Sequence, residues 1–510
     1  MWRLLVRLAL LLCDFTSTVQ INRDADHWKR LMNRFLAVGL LTGITALGAQ
    51  VSVPPVVFNK DVLPVLQRGC QVCHRPGGAG PMSFLTYEST RPWAKAIKEK
   101  VVRREMPPWF ADPRYGEFRN ATKLTDADIK TLAAWADGGA QEGDAKDKPA
   151  QVEWVDGWRI QPDVIVSMPE PYRIPAKGAG EIKAFLIPSP FKQDTWVSSI
   201  EIRPGNPSVV HHVIVQVPEE KIPEGFAWGG FGRGPGTFKR DGKKTSGGSY
   251  PGRESRLNDG ENEFGTFATM EAVYVPGSTP MDFRFHKSAK LIPGGKQIRI
   301  EVHYTPNGKA TTDQTMIGFT LATAPAKRRF ITMAPTTLVD KRHFRLPAGA
   351  SNWESTGEIT FTQNVELVWF MPHMHLRGKD MTFQLVYPNG RTDTVLRAKF
   401  NFLWQLGYEV EEPIRIPKGT KMIVTAHHDN SANNPFNPDS TQDVRWGDLT
   451  SQEMVLPWFG VVVDHDADPD NIAFYRPTGP SGENSGSSRP PSTTERLQLP
   501  TPPFSPNLRR

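Results

Sequence analysis

The pentapeptide Cys70-Gln71-Val72-Cys73-His74 contains two of the three cysteines in this 510-residue chain. In this spacing, two thiols can form thioether bonds to a haem while the histidine binds its iron. Half of a zinc site and a thiol redox pair are the alternatives. A zinc site needs further soft ligands, and only Cys13 remains. A redox pair does not need the histidine. The motif therefore predicts covalently bound haem c.

An export signal is expected upstream, because this kind of haem attachment takes place outside the bacterial cytoplasm. Phe35–Ala49 is apolar, follows two arginines and ends in small residues, which is typical of a signal peptide. It is also short for a membrane span, which needs about 20 apolar residues. We predict a leader over residues 1–49, with Met32 as an alternative start. The mature protein is then periplasmic or secreted and has no stable membrane span.

Sequence texture divides the mature chain into four parts. Residues 55–145 show helical spacing, residues 153–325 and 326–468 show short alternating strands broken by proline and glycine, and residues 476–510 have a composition typical of a disordered tail. The formal net charge of +7 is not gathered into a basic run. A nucleic-acid partner therefore has little support.

The helical part is predicted to supply a second axial ligand to the haem iron. Met106 follows a helical stretch over Trp93–Glu105 that Pro107 ends. Met82, in the loop after the haem motif, is the competing ligand, and core packing is the alternative role for either methionine. Thr125, with Asp128 at the third position, is expected to cap a further helix. The region resembles a class I cytochrome c, which implies a small all-α domain.

Histidines of the later region recur in short patterns. Residues at i and i+2 of a strand point to one face, so His373 and His375 can bind one metal ion. Adjacent residues point to opposite faces, so His211 and His212 can share an ion only at a bulge or an irregular strand start. His303 lies on a predicted strand, Gln297–Tyr304, on the face opposite its apolar residues.

Residue chemistry alone leaves the role of these histidines open. Each of them taken singly fits an ordinary surface or core position. Clusters of imidazoles suit copper, zinc or iron, and an added thioether favours copper. The pair His427–His428 matches no ligand motif that we can assign. At this level the sequence predicts one or two imidazole-rich metal sites.

The order His-His, His-Tyr, His-X-His and Glu-Met resembles the copper type II, ascorbate-dependent monooxygenases, which include dopamine β-monooxygenase and peptidylglycine α-hydroxylating monooxygenase. The resemblance implies two all-β, jelly-roll-like sandwiches, each with one copper ion, facing across a solvent-filled cleft. It also implies which residues bind each ion. His211, His212 and His303 would hold the electron-storing copper, and His373, His375 and Met454 the copper at which oxygen reacts.

The expected protein is thus multidomain, with a small all-α cytochrome c domain followed by two sandwiches. It would hydroxylate a C–H bond of a small-molecule or peptide substrate with O2, and ascorbate or a redox protein would supply electrons through the haem. The animal enzymes are rich in disulfides that this chain lacks, and their substrate contacts do not carry over. The rival hypotheses are an electron-transfer or copper-binding protein with the same fold, and a haem sensor or carbohydrate-binding protein with scattered histidines.

Overall fold

The computed structural model describes residues 55–155, 157–178, 180–218, 238–240, 243–245, 267–335, 338–339, 344–447 and 450–476. The predicted leader and the predicted tail beyond residue 476 lie outside these ranges. From Val56 onward the chain belongs to one structural unit.

The helices are short and lie in the first part of the described chain. They are α1 (Leu63–Gly69), α2 (Tyr87–Thr90), α3 (Ala94–Val102) and α4 (Asp126–Asp137), with a π-helical turn at Phe58–Val62 and 3-10 turns at Arg91–Trp93, Ala145–Asp147, Phe283–His286 and Pro469–Asn471. The predicted cap of α4 is confirmed, because the Thr125 hydroxyl accepts from the Asp128 amide and the Asp128 carboxylate accepts from the Thr125 amide. Among the described residues, no helix combines the length and apolar character that crossing a bilayer requires.

Strands make up most of the regular structure. The first fourteen are β1 (Val164–Ser167), β2 (Tyr172–Ile174), β3 (Glu181–Pro188), β4 (Thr195–Arg203), β5 (Val210–Gln216), β6 (Phe238–Arg240), β7 (Lys243–Thr245), β8 (Phe267–Thr269), β9 (Ala272–Tyr274), β10 (Met281–Asp282), β11 (Lys290–Ile292), β12 (Gln297–Tyr304), β13 (Thr311–Asp313) and β14 (Met316–Leu321). The others are β15 (Arg328–Pro335), β16 (Arg345–Leu346), β17 (Trp353–Phe361), β18 (Val365–His373), β19 (Gly378–Val386), β20 (Thr392–Lys399), β21 (Tyr408–Ile416), β22 (Lys421–His428), β23 (Val444–Arg445), β24 (Leu456–Asp464) and β25 (Ala473–Arg476). The strand predicted from the Gln297–Tyr304 pattern is β12.

Four larger antiparallel sheets contain most of these strands. The first has the order β1-β14-β4-β10, with β11 also on β4, and the second has the order β3-β12-β5-β9. The third is β21-β18-β24-β15-β8 and the fourth is β20-β19-β22-β17-β25. Three two-stranded pairs, β2–β13, β6–β7 and β16–β23, complete the described topology.

The predicted fold class is wrong. The structure is mostly β, with 38% strand and 14% helix, and has a four-bladed, propeller-like arrangement instead of a small all-α domain followed by two jelly-roll sandwiches. The third sheet shows one physical reason. Every residue of β24 from Leu456 to Val463 is buried, whereas an outer sheet of a sandwich usually has one solvated face. The strand packs against two hydrophobic cores. Trp458 and Val462 belong to one core, and Phe459 and Val461 belong to the other.

The chain between α3 and α4 is also part of the β structure. The Asp112 amide donates to the Arg397 carbonyl (2.7 Å), and the Glu411 amide donates to the Glu117 carbonyl (2.8 Å). These bonds place the segment against β20 and β21, and Arg119 forms an ion pair with Glu409. The helices are therefore tied to the sheets by main-chain hydrogen bonds, which the helical pattern of the sequence does not reveal.

His286 allows a pH test of this junction. Burial and the nearby Arg119 lower the pKa of His286 to about 4, whereas an exposed histidine titrates near pH 6.5. Between these values the unfolded chain binds a proton that the folded chain does not, so stability falls as the pH drops through this window. We expect His286→Gln to lessen the loss of unfolding free energy between pH 7.5 and 4.5 by up to about 3 kcal/mol. Urea unfolding at both pH values measures this loss. Equal losses in the variant and the wild type would contradict the lowered pKa of His286.

Candidate metal centre

The first histidine cluster is built on a bulge between β5 and β12. His303 is the pairing partner of His212, but Tyr304 is the partner of Val210. His211 is therefore the extra residue on β5, and the bulge turns its side chain toward the side chain of its neighbour. This is the irregularity that adjacent histidines need in order to share an ion. Among the described residues, potential ligand atoms of His211, His212 and His303 all lie within 4.8 Å of one another.

Hydrogen bonds determine which ring nitrogen of His211 carries a lone pair. His211 Nε2–H donates to the Phe402 carbonyl (2.8 Å), because a carbonyl can only accept. His211 Nδ1 then carries a lone pair and accepts a hydrogen bond from His212 Nδ1–H (3.1 Å). Two ligands of one ion, each with a bond of about 2.0 Å in tetrahedral geometry, lie about 3.3 Å apart. The spacing and the nitrogen chemistry both fit a shared copper ion.

The surroundings keep His211 and His212 uncharged. Burial and the neighbouring His303 lower the pKa of His211 to about 4 and hold that of His212 well below its usual range. Burial alone would raise the pKa of Glu301, but Arg299 and His303 bring it to about 2. Glu301 Oε1 lies 3.4 Å from His303 Nε2, so a buried carboxylate orients the third imidazole. Neutral imidazoles beside a carboxylate suit a cation.

The second cluster lies at the end of β18. His373 is the last residue of the strand, and His375 lies two residues further on. The centroids of their imidazole rings are 5.5 Å apart. His373 Nδ1–H donates to Gln405 Oε1 (2.7 Å) and His375 Nδ1–H donates to the Gln452 carbonyl (3.1 Å). Both imidazoles therefore keep Nε2 free. Burial lowers the pKa of His373 to about 3 and also lowers that of His375.

Met454 lies on the neighbouring strand segment. Met454 lies two residues before Leu456, which is the pairing partner of His373. Its side chain is 2% exposed. The preceding Glu453 accepts hydrogen bonds from the amides of His375 (3.0 Å) and Arg377 (2.6 Å). One buried carboxylate thus ties the chain around Met454 to the chain around His375, and two imidazoles with a nearby thioether fit copper.

The two clusters adjoin each other in this structure. Ring centroids of His212 and His373 are 6.2 Å apart, and both side chains are buried. The family resemblance implied a solvent-filled cleft between the two clusters, whereas the described residues place these two rings side by side and out of solvent. The segment between β20 and β21 contacts both clusters, because it contains Phe402, which binds His211, and Gln405, which binds His373.

The haem motif forms the turn after α1. The amides of Cys73 and His74 both donate to the Cys70 carbonyl (3.2 and 2.9 Å). His74 Nδ1–H donates to the Met82 carbonyl (3.2 Å) and the ring stacks on Phe84, so Nε2 is the nitrogen left for iron.

Both thiols and one glycine of this turn suit a covalently attached haem. Burial raises the pKa of Cys70 to about 12 and also raises that of Cys73. Neither thiol is then the low-pKa thiolate that is typical of a redox pair. A side chain at Gly80 would meet His74 Nδ1 at 2.6 Å, so this glycine allows the loop to close over the imidazole.

The two candidate axial methionines lie in different surroundings. Met82 is half-buried and packs against the core of the helices beside Cys70. Met106 follows α3, and its amide donates to the Lys100 carbonyl (3.4 Å). The choice between them as an iron ligand stays a prediction.

Several residues that orient the clusters were not identified from the sequence. Phe402, Gln405, Glu301 and Glu453 are all common residue types, and only Glu453 belongs to a motif that the resemblance used.

His427 is held between Asp380 (2.7 Å) and Glu354 (3.3 Å). His428 is fully buried, with its Nε2 3.6 Å from Glu453 Oε2. Neither joins a cluster of three or more potential metal ligands among the described residues.

Comparison with protein-family models and with curated proteins finds no match to this chain. The family resemblance therefore rests on the four short motifs and on the arrangement of their side chains.

Proposed function

We propose that the protein is an exported, copper-dependent monooxygenase that inserts one oxygen atom of O2 into a C–H bond and receives electrons through a covalently bound haem. The observation that supports it best is the pair of adjoining imidazole clusters, in which outward hydrogen bonds leave Nε2 of His373 and His375 free and turn the Nδ1 lone pair of His211 toward His212. The overall reaction takes up two electrons and two protons, converting R–H and O2 into R–OH and water.

Each cluster has a different donor set, which supports a division of roles. Copper bound by His373, His375 and Met454 would supply the oxygen chemistry, and copper bound by His211, His212 and His303 would supply the second electron. Thioether ligation favours the reduced metal ion, the form that reacts with O2. Gln405 and the Gln452 carbonyl fix the two second-cluster rings, so the free nitrogens need no rearrangement when the metal is reduced.

Copper stoichiometry tests the assignment of the first cluster. We expect the full-length protein to bind two copper ions and His212→Ala to bind one, because His212 is central to the first cluster and His373 and His375 are untouched. Metal analysis after dialysis measures the content, and His427→Ala is the matched control, since His427 contacts only Asp380 and Glu354 among the contacts described. One ion in the wild type, or two in His212→Ala, would contradict the assignment.

A second candidate function, electron transfer or copper binding without oxygenase activity, is favoured by one observation. His212, His373 and His375 are 1%, 6% and 4% exposed, so these three imidazoles have almost no surface that a substrate could reach. Oxygen uptake separates the two functions. A monooxygenase consumes O2 in step with a hydroxylated product, whereas an electron carrier does not.

A further inference from the structure

The haem motif contacts the β structure at the turn that follows β9. In this turn the Ser278 amide donates to the Val275 carbonyl (3.0 Å). Gly277 has φ of +84°, and a Cβ placed on it would lie 3.2 Å from Cys73 Sγ. Since a Cα–Cβ bond is about 1.5 Å long, the sulfur is within about 4.7 Å of Gly277 Cα. The cysteine sulfur therefore approaches the main chain of the turn with no side chain of Gly277 between them.

The same turn leads directly to the first histidine cluster. Tyr274, the last residue of β9, is the pairing partner of Val213 on β5, and His212 precedes Val213 in the chain. Tyr274 is 9% exposed and Val213 is fully buried. Packed atoms thus connect Cys73 Sγ, Gly277, Tyr274, Val213 and His212.

We propose that this connection is the electron route from the haem at Cys73 to the metal ion at His211, His212 and His303. The inference rests on the proposed function, because it needs both haem and copper. One electron leaves Fe(II), giving Fe(III), and reduces one Cu(II) to Cu(I). No bond breaks, and an external one-electron reductant restores Fe(II). The thioether sulfur is bonded to the porphyrin, so the route begins at an atom attached to the electron source.

An aromatic contact offers the competing route. Trp109 lies three residues after Met106, and its ring centroid is 5.1 Å from that of Tyr408. Tyr408 lies three residues after Gln405, whose side chain accepts a hydrogen bond from His373. This route would deliver electrons to the second cluster, and it begins at a methionine whose ligation of iron is itself a prediction. The contact of Cys73 with the β9 turn starts at the haem motif itself and needs no assignment of the second axial ligand.

Anaerobic electron transfer in the full-length, haem- and copper-loaded protein without substrate tests the route. Dithionite reduces the haem, and stopped-flow absorbance with freeze-quenched EPR follows haem reoxidation and loss of the Cu(II) signal. We expect Gly277→Leu and Tyr274→Leu each to slow the transfer, because Gly277→Leu forces the turn away from Cys73 Sγ and Tyr274→Leu removes a buried side chain between the turn and β5. Gly308→Leu is the matched control, because Gly308 has φ of +95° but nothing within 4 Å of an added Cβ. Trp109→Leu tests the competing route.

The outcomes are distinct. Slow transfer in both β9-turn variants, with the haem potential unchanged and with wild-type rates in Gly308→Leu and Trp109→Leu, supports the route. Wild-type rates in both β9-turn variants, or a slow rate confined to Trp109→Leu, overturn it. Slowing that a changed haem potential fully explains also overturns it. A wild-type protein that binds no haem or no copper overturns the proposed function instead.

Discussion

Replacement of Met454 with isoleucine should abolish hydroxylation and leave the haem absorption spectrum unchanged. Isoleucine fills a similar volume, so a buried exchange of this kind usually costs less than about 1.5 kcal/mol of stability. It removes the thioether that we assign to the second copper site. Loss of a residue that only hydrogen-bonds to a metal ligand typically lowers metal affinity or activity by about 10- to 100-fold. Loss of a ligand itself should cost more, so we expect turnover to fall by more than about 100-fold.

A matched variant separates ligation from packing. Met371 is 1% exposed and belongs to the same hydrophobic core as Met454, but it is not a predicted ligand. Met371→Ile should therefore keep most of the activity. Thermal unfolding of both variants shows whether the fold is retained, and full activity in Met454→Ile would refute its role at the copper site.

Replacement of His74 with glutamine should stop turnover that a protein electron donor drives and spare turnover that ascorbate drives. The imidazole is the predicted iron ligand, and its Nδ1–H is already committed to the Met82 carbonyl. Ascorbate can reduce copper directly, so the copper chemistry does not require the haem. Parallel assays with a reduced c-type cytochrome and with ascorbate measure the two rates. Unchanged turnover with the protein donor would show that the haem does not supply the electrons.

Local features of the structure were predictable because they depend on neighbours in the chain. The cap of α4 follows from Thr125 and Asp128, which are three residues apart. The strand Gln297–Tyr304 follows from alternating apolar residues. A bulge or an irregular strand start was the condition for His211 and His212 to share an ion, and the structure has a bulge at this place. Each of these needs no knowledge of distant contacts.

Sheet arrangement and the orientation of the metal ligands were not predictable in this way. Gln405 is 32 residues from His373, and Phe402 is 191 residues from His211. Such contacts depend on which strands pair, and β-strand pairing is set by packing across the whole molecule. The predicted fold class was wrong for the same reason. Alternation of apolar residues along a strand does not show how many other sheets pack against that strand.

Isotope labelling in a single turnover tests the central claim most directly. The copper-loaded protein is fully reduced without oxygen, mixed with a pool of periplasmic metabolites, and then exposed to oxygen-18 gas. A monooxygenase places one labelled atom in an organic product and the other in water, with oxidation of haem and copper. Oxidation of both metals with labelled water or peroxide but no labelled organic product, in a protein shown to hold haem and both copper ions, would contradict the account.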